Sequence, residues 1–129
     1  MKPLTLSLLL LAAVTTSAQE ARPHRFWDNA NRTLFISAVV NQTYDAATTR
    51  YVLDTLHASY EQNPFARPFE DQGTAGTVAF HYGVMTAGPL LVSYWLHRKR
   101  HHSLERLPLF FSISMGMQGG IHNSRLIGR

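Results

Sequence analysis

An all-α fold is the architecture this sequence predicts, and three observations predict it. From Asp28 to Asn63 no proline or glycine interrupts the chain, which leaves room for one long helix. Two later apolar stretches carry small residues at every fourth position, the spacing of a helix face. No segment shows the strict alternation of a half-buried strand, and no internal repeat is visible.

With 129 residues the chain has room for one domain. It contains no cysteine, which excludes disulfide frameworks, thiolate nucleophiles and Cys-ligated metal centres. The net charge of +4 is gathered in short stretches rather than in one continuous field, which argues against a nucleic-acid partner.

Residues 1–18 read as a secretory signal. Lys2 gives a positive start, Leu4 to Val14 is apolar, and Thr16-Ser17-Ala18 offers small residues for cleavage before Gln19. An uncleaved anchor is the alternative. Residues 19–27 form a polar arm containing Pro23.

A single helical domain is expected over 28–123, with 124–129 as a tail. The first helix starts at Asp28 or Asn29, either of which can accept from a first-turn N–H, and runs to about residue 59. Asn63-Pro64 stops it, and the segment to Gly73 is a polar turn. The second helix spans about 74–100 with Pro89 as an internal kink, and ends in the basic run His97 to His102. The third starts near Ser103, a good N-cap with Glu105 in its first turn. It is apolar to Ile121, where Gly119-Gly120 weakens its end.

Two or three of these helices are expected to cross a membrane. Tyr94 and Trp95 sit at one segment end, the basic run follows at once, and two small-residue series can let helices approach closely: Ala75, Ala79, Gly83, Ala87 and Ser112, Gly116, Gly120. Expected partners are therefore the lipid bilayer and other membrane helices, or a second copy, and the expected location is a bacterial inner membrane. The mean hydropathy of −0.12 favours the alternative of a periplasmic or secreted soluble domain. Two topologies put the basic residues inside, as their bias requires. Either the first helix stays outside and the loop around Arg98-Lys99-Arg100 is cytoplasmic, or Arg22, Arg25 and Arg32 are cytoplasmic and three helices span.

The first helix carries a polar stripe, Ser37, Asn41, Asp45, Thr48 and Thr49, on one face. An ionisable residue at membrane depth is a functional candidate, and an interhelical hydrogen-bond network or a wet helix face explains the same stripe. If the helices pack up-down-up, Asp45, Glu61, Asn63, His81, His122 and Asn123 gather at one end. Asp45, His81 and His122 then form a weak candidate metal set, and a polar cap on the bundle end would look the same. His97 to His102 can also bind transition metals, although a stop-transfer end or an anionic-lipid contact explains it too. No cofactor is predicted. Ser112 to Gly116 lacks the glycine pattern of a nucleophile elbow, and Gly116 to Gly120 lacks the residues of a phosphate loop.

Asp45-Ala46-Ala47-Thr48-Thr49, followed by Glu61-Gln62-Asn63-Pro64 and further hydrophobic helices, resembles small bacterial membrane proteins of the domain-of-unknown-function 5658 family. The resemblance covers Asn41 to about Arg100, and Ile121-His122-Asn123 is similar to endings of acidobacterial membrane proteins. The export leader departs from that family's pattern. What the resemblance implies is a multi-helix membrane protein without assigned chemistry. The expected function is structural or accessory, through small-residue helix faces. A membrane-embedded enzyme or carrier using Asp45 with His81 or His122 is the alternative.

Overall fold

A computed structural model describes residues 24–56 and 63–128. The expected leader, most of the polar arm, Glu61 and the expected last turn of the first helix lie outside the described residues. What is described is helical, with no strand among the described residues. The helices are α1 (Asn29–Thr55), the single turn α2 (Arg67–Glu70), α3 (Thr74–Arg98) and α4 (Leu107–Ile127).

Helix α1 opens as a capped helix should. Asp28 is extended, and its Oδ1 accepts from Asn31 N at 2.7 Å. Helix α2 interrupts the predicted turn segment with Pro68 in its first turn, and Gly73 then reverses the chain at a φ of 75°.

Helix α3 absorbs Pro89 by widening. It begins as α-helix to Val78, becomes a π-helix over Ala79–Ala87 and resumes as α-helix from Gly88. Proline has no N–H to return to the carbonyl four residues back, which is that of Met85. Ser112 Oγ of α4 donates to Met85 O instead, and Thr86 Oγ1 donates to His81 O at 2.8 Å. Buried positions along α3 step by four from Gly76 and Thr77 to Phe80 and His81, then by five to Thr86 and by seven to Ser93. This corrects the expected packing face: Ala79, Gly83 and Ala87 point outward, and a Cβ on Gly83 would meet nothing within 4 Å. The wide turn adds a residue and rotates that series away from the bundle.

Helix α3 ends in a Schellman motif. His101 N donates to Leu96 O at 2.9 Å, Arg100 N donates to His97 O at 3.0 Å, and Arg100 takes the left-handed position with a φ of 62°. The chain then makes turns through residue 106. Ser103 is not the cap of α4, which starts at Leu107 without a side-chain cap and with Pro108 in its first turn. Gly119-Gly120 does not end it either. The helix continues to Ile127, because both glycines are occupied by contacts with α1.

The helices pack up-down-up, α1 and α4 running in parallel. Their seam advances in matched steps: a Cβ on Gly116 would fall 2.8 Å from the Asn41 backbone, one on Gly119 would strike the Asp45 carboxylate, and one on Gly120 the Tyr44 ring. Ser112, Gly116 and Gly120 are all buried there. Close approach at this seam is what the missing side chains permit.

Candidate functional site

The interior of the bundle is unusually polar. Asn31, Gln42, Thr49, Glu70, Thr77, His81, Thr86, Ser93, Glu105 and Ser112 are all buried; Ser93 Oγ has no hydrogen-bond partner among the described residues, and most of the others belong to two assemblies at opposite ends. Buried polar groups must be hydrogen-bonded, and buried charges must be paired, so each assembly can be followed partner by partner.

The first assembly contains the predicted stripe. Asn41 Nδ2 donates to Ser37 O at 2.9 Å, and Asp45 Oδ1 accepts from Thr49 Oγ1 at 3.4 Å and Asn123 Nδ2 at 3.3 Å. Asn123 Nδ2 also reaches Thr48 Oγ1 at 3.4 Å and Thr49 Oγ1 at 2.8 Å. His81 Nδ1 lies 3.9 Å from Asp45 Oδ2 and 2.8 Å from Gln42 Oε1. Because Gln42 Nε2 donates to Ser112 O at 2.7 Å, its oxygen is turned to His81, and Nδ1 is the donor of that pair. On the far side of the ring, Nε2 faces Glu70 Oε1 at 3.2 Å. Thr77 Oγ1 donates to Glu70 Oε2, and Arg50 Nη1 lies 3.6 Å from the same oxygen while donating to Glu70 O at 3.0 Å. Arg50 continues outward to Asp54, whose exposed carboxyl it holds below the usual range by hydrogen bonding and charge.

A line of ion-pair neighbours, each within 4 Å of the next, thus runs Asp45, His81, Glu70, Arg50, Asp54, although Glu70 Oε1 makes no hydrogen bond among the described residues. Of the residues expected at this end, Asp45, His81 and Asn123 are brought together. His122 is exposed and does not join the candidate metal set, since it sits one residue off the face that carries Asn123. Asn63 stays in its turn, where its Oδ1 accepts from Phe65 N at 3.0 Å; Pro64 is exposed beside it. Glu70 and Arg50 were not legible as site residues, because only the α2 turn carries Glu70 back to α1.

The second assembly surrounds Glu105, which is fully withdrawn from solvent. Its Oε1 accepts from Asn31 Nδ2 at 2.9 Å and lies 3.2 Å from His24 Nε2. Its Oε2 lies 2.8 Å from His97 Nδ1 and 3.0 Å from His102 Nδ1. The imidazoles touch one another, with ring centroids 4.8 to 5.2 Å apart. Burial raises the pKa of the Glu105 carboxyl, but hydrogen bonds from Asn31, His102 and His97 together with the charge of His24 outweigh it, so the group titrates below an ordinary glutamate. Behind His24, Nδ1 lies 3.2 Å from Asp28 Oδ2, and Arg106 Nη2 donates to the same oxygen at 3.0 Å.

The sequence signal for this assembly was the histidine run after α3. The fold adds to it His24 from the arm and Glu105 from the turn. The left-handed Arg100 makes the convergence possible by folding the chain back on His97. Compared with protein-family models, curated proteins and solved structures, the chain matches none.

Proposed function

We propose that this chain is a small accessory protein of the bacterial inner membrane, with three inserted helices and its histidine-bearing end in the cytoplasm. The observation that carries this reading is an inverted polarity. The polar groups named above fill the interior, while Ile36, Val40, Tyr51, Val84, Leu91, Val92, Trp95, Phe111 and Ile121 point outward. In water such an exterior aggregates; in lipid it is the expected surface. The alternative of a soluble secreted domain sits badly with it.

Helix α3 by itself is long and apolar enough to cross a bilayer. Support for all three comes from where charge is absent. Thr33 to Thr49, Thr74 to Leu96 and Leu107 to Ser124 contain no Lys, Arg or Glu, and Asp45 as their one Asp. At about 1.5 Å per residue these stretches measure roughly 25 to 35 Å, close to the hydrocarbon thickness of a bilayer. Arg25, Arg32, Arg98, Lys99, Arg100 and Arg106 crowd one end against Asp28 and Glu105, whereas Arg50, Arg67 and Arg125 meet Asp54, Glu70 and Asp71 at the other. The positive-inside rule therefore assigns the first end to the cytoplasm.

Since α1 fills the groove of α4, the outward Ala79, Gly83 and Ala87 form the face on which another membrane helix, or a second copy, would associate. Membership of the domain-of-unknown-function 5658 family, suggested by Asp45 to Thr49, belongs to the same proposal. A second reading, an embedded enzyme or carrier, is favoured by the buried line from Asp45 through His81 to Glu70. It would show as ligand binding or activity lost in Asp45→Asn with the fold intact.

The absence of native cysteine makes the topology directly testable. Single-cysteine variants Ser103→Cys and Asp71→Cys are treated in intact cells with a membrane-impermeant maleimide. Labelling at 71 and protection at 103 is expected, with the protein retained in membranes through carbonate extraction. Release by carbonate, or labelling at 103, overturns the reading.

A further inference from the structure

We propose that His24, His97, His102 and Glu105 form a binding site for a divalent transition metal of the zinc class, which staples the arm before α1 to the α3–α4 connection. Three imidazoles and one carboxylate, drawn from segments far apart in the chain, present one donor atom each within 4.8 Å of one another. A tetrahedral zinc site with bonds of about 2.0 to 2.1 Å holds its donors roughly 3.3 Å apart. From Glu105 Oε2, His97 Nδ1 and His102 Nδ1 lie at 2.8 and 3.0 Å, already of that scale, while His24 Nε2 meets the other carboxylate oxygen, Oε1, at 3.2 Å. The wider pairs close by rotation of imidazoles that are only partly enclosed.

The surroundings are those of a metal site rather than of a solvated histidine run. A ligating histidine characteristically gives its other ring nitrogen to a carboxylate, which fixes the ring and its tautomer. In His24 Nε2 faces the cluster, while Nδ1 pairs with the Arg25 carbonyl at 3.0 Å, a partner of equivalent role, and lies 3.2 Å from Asp28, itself held by Arg106. Glu105 is oriented by Asn31, so the one anionic donor is rigid as well as buried. Three nitrogens and one oxygen suit zinc, cobalt, nickel or copper and do not suit magnesium or calcium, which take oxygen ligands. Arg98, Lys99 and Arg100 are exposed, whereas Arg106 sits beside the site, donating to Asp28 and to the Asn31 that holds Glu105.

The same atoms could instead form a metal-free hub in which each imidazole N–H donates to Glu105. The two differ in whether the nitrogens offer lone pairs or protons, and metal titration separates them. Full-length protein, purified in detergent on a tag without histidine and stripped with chelator, is titrated with Zn²⁺, with Co²⁺ as a visible-absorption probe and Mg²⁺ as control. One zinc per chain is expected, with a tetrahedral cobalt spectrum and no response to magnesium. His97→Ala, His102→Ala and His24→Gln should each weaken zinc binding by about tenfold or more, and Asp28→Asn should weaken it by about tenfold through the ring it orients. His101→Ala and His122→Ala, outside the cluster, should change it less than about twofold. His24 lies outside every helix, so its variant keeps the test informative if the others misfold, with helix content followed by circular dichroism. Absence of zinc binding to the wild type, or equal binding by wild type and a His97→Ala/His102→Ala double variant, overturns the site. Because the titration is done in detergent, its outcome is independent of the membrane topology proposed above.

Discussion

Glu105 and Glu70 occupy opposite ends of the bundle, and each side chain is fully withdrawn from solvent, yet they are neutralised by different means. Glu70 faces a guanidinium that is always charged, a threonine hydroxyl and His81. Glu105 faces one amide and three imidazoles, and an imidazole, unlike a guanidinium, has a charge and a tautomer that are not permanent. The same burial problem has been solved once with a permanent countercharge and once with exchangeable ones. The first solution suits a fixed structural end, and the second an end that can gain and lose a ligand.

The largest effect expected from this difference is at Arg50. Arg50→Met leaves Glu70 buried without its permanent countercharge, a loss of about 3 to 5 kcal/mol. Unfolding in mixed micelles should show it, and a loss under about 1 kcal/mol would break the comparison, because His81 alone would then suffice for Glu70.

At the other end, chelator-treated protein should lose stability in acid. The Glu105 pKa is depressed in the folded state, so its contribution is complete above the ordinary glutamate value of 4.5 and drains away as pH falls through the lower folded value. Glu105→Gln should be about 2 kcal/mol less stable than wild type at neutral pH, the scale of its charge-assisted hydrogen bonds. The gap should close below that window. A gap that persisted at low pH would mean that shape, not charge, sets the role of Glu105.

The two ends are joined by the α1–α4 seam, so Gly116→Ala tests whether they share one rigid frame. Its Cβ would meet the Asn41 backbone at 2.8 Å, and separating the helices should cost about 1 to 3 kcal/mol. Gly83→Ala meets nothing and should stabilise by up to about 1 kcal/mol. Equal effects at the two glycines would contradict the packing described.

A modest gain is also expected at Arg100, whose left-handed conformation costs about 1 to 2 kcal/mol in a residue with a side chain. Arg100→Gly should raise the melting temperature by a few degrees while leaving the histidine cluster in place. A variant that weakened zinc binding as well would show that the strain helps to pose His102.

By itself the sequence determined the helices and their order. A long run without proline or glycine and the Asp28 cap are local signals, and local backbone chemistry answers them directly, although the helix ends at Thr55, before the expected Asn63-Pro64 stop. The polar stripe of α1 was legible for the same reason, since a four-residue spacing needs no tertiary information, and so was the small-residue face of α4. Only the tertiary structure decided the rest. The face of α3 could not be read because Pro89 deprives Met85 of a donor and the helix widens upstream, which turns Ala79, Gly83 and Ala87 outward. Glu70 reaches His81 through a one-turn helix, and Glu105 meets His24 across most of the described chain, so neither pairing has a spacing to betray it. Charge pairing in a bundle depends on which helix ends are neighbours. That is settled by packing apolar and small surfaces against one another, and a one-dimensional pattern does not contain it.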